Sequence, residues 1–344
     1  MQDIPLERRN PSLGVNHKHQ PRRLVTLVVF LGAAIGAVQF ATPVMERRPF
    51  AMFMARPIPQ TEPSADAFGT SGEVLLKFSM PGREVEYPLA VHGDPTMLSY
   101  EWIRLGSEHA STQARPLRGD KVVSPTGAGF YQLRLVRGDV RRIVDGLTLA
   151  VLVPFDRKEG GMLNGYRIGT YLGERLSGRR TPPEGFLEIT QADVGLQITK
   201  HLKVSDFLTH DSQDVWPKYA AVSPRLLDKL ELVIAEISSW RGSDVPVTLD
   251  MDVHSGFRSP DHNRQVRRAA RDSQHQYGDA ADVTMDANGD GRLSVMDSKM
   301  VGLAVEIVEL KHPELVGGLG MYTSRRSGSY VHIDARGQRV RWRG

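Results

Sequence analysis

An uncharged run of nineteen residues limits the fold of this chain more than any other feature. Residues 24–42 read LVTLVVFLGAAIGAVQFAT and follow a polar, basic stretch, 1–23. At about 1.5 Å per residue, a helix of this length nearly crosses a bilayer core of about 30 Å. Basic flanks stay in the cytoplasm. We therefore predict a cytoplasmic tail at 1–23, a transmembrane signal-anchor at 24–42 and the rest of the chain outside the cytoplasm.

Two other interpretations fit the same run. A cleaved signal peptide also joins a basic region to an apolar one, but this run is long for that purpose and Pro43 directly follows its best small-residue site. A helix buried in a protein core is the third interpretation, which the basic flank and the uniformly apolar sequence disfavour. We carry the uncleaved anchor forward as the prediction.

Composition changes after the apolar run. Residues 43–70 contain five prolines among small polar residues, which is typical of an extended linker. Residues 71–195 hold short β-rich runs separated by Gly, Pro and Asp turns, so we predict a β-rich domain there. The runs are 74–78, 85–91, 129–136 and 147–153. The stretch 164–173, NGYRIGTYLG, predicts a strand–turn–strand, with the lining of a ligand groove as the alternative.

Helical spacing marks the remainder of the chain, 196–344. Ser223 and Pro224 begin a helix whose apolar residues recur every three or four positions. Ser259 and Pro260 begin a second helix. Its arginines, on a solvated face, are Arg264, Arg267, Arg268 and Arg271. A third helix is marked by Met296, Met300, Leu303, Ile307 and Leu310 and stopped by Pro313.

Strands alternate with these helices. They are predicted at 245–253 and 280–285, and as a hairpin of 318–322 with 330–334. The fold class we predict is α+β: a C-terminal domain with a small antiparallel sheet and helices, preceded by the β-rich domain and an N-terminal transmembrane helix.

Two features of composition exclude classes of function. The absence of cysteine excludes disulfides, thiolate catalysis and cysteine-bound metal, so any metal must be held by histidine and carboxylate. The net charge of +4 is spread along 344 residues without a basic and aromatic array, so we expect no nucleic-acid partner.

Histidines and aspartates in the C-terminal part have the spacing of metal ligands. His275 and Asp282 lie seven apart with small residues between them, which lets the backbone pass close to an ion. His332 and Asp334 alternate by two on a predicted strand and so share one face. Catalytic zinc takes three protein ligands and leaves a fourth position to water. Core histidines and turn aspartates with no metal would show the same spacing.

Three motifs, SGFRSPDHN, SQHQYGDAAD and YVHID, resemble in this order those of the M15 family of zinc peptidases, the D-alanyl-D-alanine carboxypeptidase and peptidoglycan endopeptidase group. The family pattern is S-x-H-x-x-G-x-A-x-D followed by a later histidine. The matching residues are Ser273, His275, Gly278, Ala280, Asp282 and His332. The resemblance covers 196–344, less than half of the chain.

The resemblance implies zinc on His275, Asp282 and His332. It also implies a substrate-facing role for Arg258, whose guanidinium can fork onto a carboxylate or steady a polarised carbonyl. Substrate contacts from Asn263 and Ser273 follow from the same motifs.

One position departs from the family pattern. Many members place Glu or Asp three residues before the last ligand as general base, and here that residue is Ser329. The branch ending in V-H-x-D is closer to this chain, which makes Asp334 the candidate base. Orienting His332 through a hydrogen bond is the other role open to Asp334. His254 and His262 are further candidates to flank the cleft, with a structural or surface role as the more typical alternative for each.

A second candidate metal loop, 286–297, reads DANGDGRLSVMD and resembles an EF-hand loop. It fits D-x-[DN]-x-[DN]-G with an acid at position twelve. The expected ligands are Asp286, Asn288, Asp290, the Arg292 carbonyl, Ser294 and Asp297. A strand precedes the loop, so it is half an EF-hand, and we expect a structural Ca²⁺ ion. A polar turn without metal is the alternative.

The motifs together predict a zinc metallopeptidase, a hydrolase that cleaves peptidoglycan stem or cross-link peptides as a carboxypeptidase or an endopeptidase in cell-wall remodelling. The anchor places it in the inner (cytoplasmic) membrane as a single-pass protein with the catalytic domain in the periplasm or cell-wall space. The alternative is a non-catalytic, zinc-bearing cell-wall binding module. Ser329 favours that alternative, and the hedgehog signalling domain, similar in fold and metal ligands, is an example of it.

Overall fold

The computed structural model of the protein describes residues 60–63, 69–87, 89–92, 98–119, 121–240, 250–324 and 328–344. The predicted tail, the predicted signal-anchor, most of the predicted linker and residues 245–249 of the predicted strand 245–253 lie outside these residues. No helix in the described part of the chain is long and apolar enough to cross a membrane. Met54–Gly344 forms one compact unit that contains every described residue.

Strands make up most of the regular structure. In chain order they are β1 Gln60–Pro63, β2 Leu76–Ser79, β3 Glu84–Glu86, β4 Leu89–His92, β5 Ser99–Arg104, β6 Arg115–Pro116, β7 Lys121–Val123, β8 Gly129–Arg137, β9 Val140–Ile143, β10 Thr148–Val151, β11 Val153–Pro154, β12 Met162–Leu163, β13 Tyr166–Arg167, β14 Gly185–Ile189, β15 Lys218–Ala220, β16 Met251–Ser255, β17 Ala280–Met285, β18 Gly318–Ser324, β19 Gly328–Asp334 and β20 Val340–Arg343.

The α-helices of the described residues are α1 Pro224–Trp240, α2 Pro260–Asn263 and α3 Val295–Lys311. Short 3-10 turns lie at Phe155–Arg157, Leu172–Glu174, Gln191–Asp193, Val204–Phe207, Gln274–Tyr277 and Pro313–Leu315. This mixture of sheets with few helices confirms the predicted α+β class.

The β-rich part is built on a sheet ordered β2-β10-β8-β5-β6, with β9 paired to β8. Alternate residues of β8, among them Leu133 and Leu135, are fully buried, which is the period-two pattern of a strand with one core face. The stretch 164–173 is not itself a strand–turn–strand: it supplies the turn and the second strand, β13, of a hairpin whose first strand is β12, and the turn residues Asn164 and Gly165 have φ of +47° and +85°. That is the left-handed backbone a two-residue hairpin requires.

Packing continues across residue 195, where the sequence predicts a domain boundary. Strand β14 pairs on one side with β11 and on the other with β15. Across the same region the Phe186 and Phe257 ring centroids are 6.4 Å apart, and those of Tyr171 and Tyr277 are 5.6 Å apart. The β-rich part therefore supports the second half directly.

The second half holds a sheet ordered β16-β17-β19-β18-β20, covered by α1 and α3. The pairs from β16 to β18 are antiparallel, as predicted, but β18 and β20 are parallel. Helix α1 begins at Pro224 and buries its apolar stripe, as predicted. The predicted hairpin is formed by β18 and β19.

Two helical predictions are wrong in part. Helix α2 ends at Asn263, so the arginines after it lie on a loop and not on a helix face. Helix α3 forms, but Leu303 and Leu310 of the predicted stripe are 55% and 81% exposed, while Val301 and Val305 are buried. The buried face of α3 packs against α1 and against the sheet, and Gly302 lies beside Met321 there: a Cβ on Gly302 would be 2.8 Å from the Met321 methyl group.

Candidate metal centre

His275 is delivered by the 3-10 turn Gln274–Tyr277, which ends at Gly278 in the left-handed conformation, φ +66°. A Cβ at Gly278 would lie 2.1 Å from the carbonyl oxygen of Ala221, so the turn requires glycine. The Nδ1 of His275 lies 2.7 Å from the carbonyl oxygen of Gly256. A proton on Nδ1 satisfies that bond and leaves the Nε2 lone pair for a ligand.

Asp282 and His332 are brought together by strand register. They are directly opposed on the antiparallel strands β17 and β19. Opposed residues on one face have Cβ atoms about 4.5–5.5 Å apart, so the two side chains must meet. Ala280 and Ala281 are small and fully buried, so β17 can begin shortly after the turn that carries His275.

The three ligand candidates converge on one point. His275 Nε2 lies 3.2 Å from Asp282 Oδ1 and 3.2 Å from His332 Nδ1, and His332 Nδ1 lies 2.9 Å from Asp282 Oδ1. Zinc bonds of 2.0–2.1 Å at tetrahedral angles would set the ligand atoms about 3.3 Å apart. We refer to these residues as the His/Asp/His group, and its dimensions and donors fit a zinc site.

Electrostatics prepares the group for a cation. Burial alone would raise the pKa of the Asp282 carboxyl, but the imidazoles of His275 and His332 hold it well below its usual range. Burial lowers the pKa of His275, against the opposing effect of Asp282, and so keeps that ring neutral. Metal ligands must be deprotonated, and both directions favour that state. Burial would also lower the pKa of His332, but its two carboxylate neighbours, Asp282 and Asp334, raise it.

Asp334 lies behind His332. Its Oδ2 is 3.1 Å from His332 Nε2, the nitrogen that does not face the group, and its side chain is fully buried. The Gly318 N–H donates to Asp334 Oδ1 at 2.7 Å, and the Arg336 guanidinium forms an ion pair with the same carboxylate. Burial alone would raise the pKa of Asp334, but His332 and Arg336 hold it far below its usual range. The carboxylate is therefore ionised, and it is enclosed.

A buried ion pair lies next to the C-terminal end of β19. The Nζ of Lys229, on α1, lies 2.7 Å from Glu309 Oε1 on α3 and 2.7 Å from the Asp334 carbonyl oxygen. Both side chains are almost completely buried. Sequence analysis missed this pair. The signal was a lysine inside the apolar stripe of α1, between Leu226 and Val233.

Arg258 holds the outer oxygen of Asp282. Its Nη2 pairs with Asp282 Oδ2, and its Nε donates to Ser255 Oγ at 2.7 Å. Among the described residues, Nη1 has no hydrogen-bond partner, and Arg258 lines the cleft in front of the His/Asp/His group. The guanidinium thus orients a ligand and keeps donors for a bound molecule.

An aromatic wall also lines this cleft. The rings of Tyr322 and Tyr330 stack with centroids 4.7 Å apart and planes 6° apart. The indole N–H of Trp342 donates to the Tyr322 hydroxyl at 2.7 Å, and the Trp342 ring centroid is 5.1 Å from that of His332. These three aromatic residues lie on strands of the sheet and line the cleft. Sequence analysis did not single them out.

The cleft contains one of the two other substrate-contact candidates. Ser273 lines it, next to the His275 turn. Asn263 is only 3% exposed, and its Nδ2 donates to the Ala270 carbonyl oxygen at 2.9 Å, so it anchors the loop 264–272. Neither His254 nor His262 is among the described residues that line the cleft.

Ser329 faces away from the cleft. Tyr330 and His332 line the cleft, whereas Ser329 and Val331 point to the opposite face of β19, beside α3. A residue three positions before His332 lies on the other face because side chains alternate along a strand. In this chain, position 329 therefore has neither the chemistry nor the placement of a general base.

In the loop 286–297, the carboxylates of Asp286 and Asp297 accept hydrogen bonds from backbone amides of the same loop. Asp286 accepts hydrogen bonds from the amides of Gly289 and Gly291, each at 2.8 Å. Asp297 accepts from Asn288 and Ser294, in the latter case as part of the N-terminal cap of α3. Among the described residues, the His/Asp/His group is the one set of three or more histidines and acids that could hold a metal ion. Calcium at this loop has no support and stays a prediction.

The fold and the group define a candidate zinc hydrolase centre. Residues 219–334 match the family model described as Peptidase M15. This segment is about a third of the chain and contains the complete His/Asp/His group. No curated protein matches the chain. The match supports the M15 peptidase family for this segment and suggests a metallopeptidase.

Proposed function

We propose that the protein is a zinc-dependent peptidase that cleaves peptidoglycan stem or cross-link peptides. One observation carries the proposal: the His/Asp/His group converges at an open cleft inside the segment that matches the Peptidase M15 model. The peptidoglycan substrate rests on the motif resemblance alone.

His275, Asp282 and His332 would hold the zinc ion, which would supply Lewis-acid chemistry for the scissile carbonyl and for water activation. The chain's own residues position the reactants. Arg258, fixed by Ser255 and Asp282, offers its free Nη1 to the acyl oxygen or to a terminal carboxylate of the peptide.

We assign Asp334 to orienting His332 and not to proton transfer. A general base must reach its proton within hydrogen-bonding distance, directly or through one water. Asp334 is fully buried behind the ring and engaged by Arg336. Outside the His/Asp/His group, the described carboxylate that lines the cleft is Asp272, whose Oδ1 accepts a hydrogen bond from the Tyr277 hydroxyl. Asp272 is our candidate for the proton acceptor.

The location is also a proposal. The basic and apolar order of residues 1–42 supports an uncleaved anchor in the inner membrane, with the peptidase segment in the periplasm or cell-wall space. Membrane fractionation with N-terminal sequencing tests it. A soluble mature protein beginning near residue 42 would replace the anchor by a signal peptide.

Digestion of defined muropeptides tests the activity. The zinc-loaded protein should release products whose masses identify the cleaved bond, a chelator should stop their release, and added zinc should restore it. His332→Ala is the matched inactive variant because it removes one of three ligands. If no peptide bond is cleaved while the fold and zinc content are intact, the peptidase proposal fails.

A non-catalytic binding module is the second candidate; the serine at position 329 no longer distinguishes the two functions, because that position faces away from the cleft. In that case, zinc-loaded protein would sediment with purified cell wall without releasing peptides from it. The same preparation therefore separates the two functions.

A further inference from the structure

Among the described residues, two arginines on the rim of the cleft have no acidic partner. Arg267 and Arg268 line the same cleft as the His/Asp/His group, and both are exposed. The other cleft arginines, Arg258 and Arg336, each pair with an aspartate. In the described part of the chain, no hydrogen bond or ion pair engages the side chain of Arg267 or Arg268. Their donors are available to a ligand.

The loop that carries these arginines is tied down on both sides. Asn263 Nδ2 donates to the Ala270 carbonyl oxygen, and Gln276 Nε2 donates to the Arg271 carbonyl oxygen, each at 2.9 Å. Gln276 belongs to the turn that delivers the metal ligand, so the loop keeps a defined position relative to the metal centre. Arg268 has φ +64°, a left-handed backbone that residues other than glycine rarely adopt and that is concentrated at functional sites.

The cleft as a whole is positive. Its charged side chains, apart from the histidines, are Arg258, Arg267, Arg268, Arg336, Asp272 and Asp282. Among these described side chains, Arg258 is paired with Asp282 and Arg336 with Asp334 behind the cleft, so the net positive charge comes from Arg267 and Arg268, and a bound metal ion would add to it. A cleft lined by one sign of charge concentrates ligands of the opposite sign. The stacked pair Tyr322 and Tyr330 lines the same cleft and offers a flat surface to an extended chain.

We propose that Arg267 and Arg268 form a second anion subsite that selects peptides with a carboxylate away from the scissile bond. The proposal rests on the peptidase function above and adds a substrate class to it: acidic peptides. Guanidinium groups suit this task because their planar donors match a carboxylate in two parallel hydrogen bonds. Arg258 serves the reacting end of the peptide, and the rim pair reads a different carboxylate.

Two synthetic stem peptides of identical sequence test the subsite, one with an internal carboxyl group free and the other with that group amidated. The zinc-loaded full chain should hydrolyse the free acid with a kcat/KM about tenfold higher or more, the size of one charge-assisted hydrogen bond, mainly through KM. The double variant Arg267→Gln, Arg268→Gln should hydrolyse the two peptides equally. Arg271→Gln removes the same charge from the same loop outside the cleft and should keep the preference.

Calorimetric binding of the same two peptides gives a readout that needs no turnover. If the wild-type protein hydrolyses neither peptide but binds the acid more tightly, and the double variant does not, the subsite stands and the peptidase proposal fails. Equal affinities for acid and amide in the wild-type protein overturn the subsite even if both peptides are cleaved. Loss of preference in Arg271→Gln as well overturns it, because the effect would then be one of net charge.

Discussion

The variant Asp334→Asn distinguishes the two roles that the sequence allows for Asp334, general base and orientation of His332. The substitution keeps the shape and hydrogen-bonding capacity of the side chain but removes its negative charge. In the structure that charge lies 3.1 Å behind the His332 ring and is shared with Arg336. We therefore expect the variant to bind zinc more weakly while its cleft stays intact.

The size of the effect follows from the geometry. A metal-bound His332 is neutral, so the Asp334 carboxylate acts on a dipole 3.1 Å away, and the interaction is well below the roughly 5 kcal/mol that two unit charges would give at an effective dielectric constant of about 20. Arg336 already neutralises much of the Asp334 carboxylate, so the loss should be smaller still. Removing a partner that orients a metal-bound histidine typically costs about ten- to a hundredfold in metal affinity, or about 1.4–2.7 kcal/mol.

The assay is a titration of metal-free protein with zinc, followed by a chromophoric chelator and by peptide hydrolysis. Asp334→Asn should need about ten- to a hundredfold more zinc and then regain its rate. Asp272→Asn is the matched variant in the cleft. It should bind zinc normally and lose about two to four orders of magnitude in rate, whatever the zinc concentration. Normal zinc affinity with a rate that zinc does not rescue in Asp334→Asn would refute our assignment.

Three further predictions concern stability. Lys229→Met leaves Glu309 with Arg341 as its remaining cation and leaves the Asp334 carbonyl without this donor, so it should destabilise the fold by about 2 kcal/mol in urea unfolding; an unchanged free energy of unfolding would contradict this. Because the pKa of Asp334 is depressed in the folded state, its contribution is present above the unfolded value of about 3.9 and is lost as pH falls. Metal-free protein should therefore lose stability from about pH 4 downwards, less steeply in Asp334→Asn, and parallel curves would count against it. If the loop 286–297 binds calcium, the double variant Asp286→Ala, Asp290→Ala should lower the thermal midpoint only when calcium is present. A hundredfold excess of calcium over Kd stabilises the native state by about 2.7 kcal/mol. Identical melting curves with and without calcium would indicate a polar turn without metal.

The candidate metal ligands could be named from the sequence through the resemblance of three motifs, since their spacing alone also fits residues that bind no metal. The spacing of His275 and Asp282 and the period of two at His332 and Asp334 depend on backbone geometry that neighbouring residues determine. The start of α1 at Pro224 is likewise encoded in its cap and its apolar period. These features need only short-range information.

Other features depended on contacts between distant segments. The sequence predicts a third helix. Which of its faces is buried depends on the elements that pack against it, and Gly302 on that face lies beside the Met321 side chain. The sequence predicts that the arginines after α2 lie on a helical face. In the structure they lie on a loop that Asn263 and Gln276 hold in place, and two of them line the cleft.

Asp334 illustrates the physical reason. Along a strand it shares a face with His332, and by itself that placement allows both proton transfer and ring orientation. Only the tertiary structure encloses its carboxylate, with Gly318 on one neighbouring strand, Arg336 beyond the strand end and Lys229 on its backbone. The sequence by itself determined the three candidate metal ligands and Arg258, and the packing of distant elements decided which further side chains, among them Asp272, line the cleft and that Asp334 is enclosed.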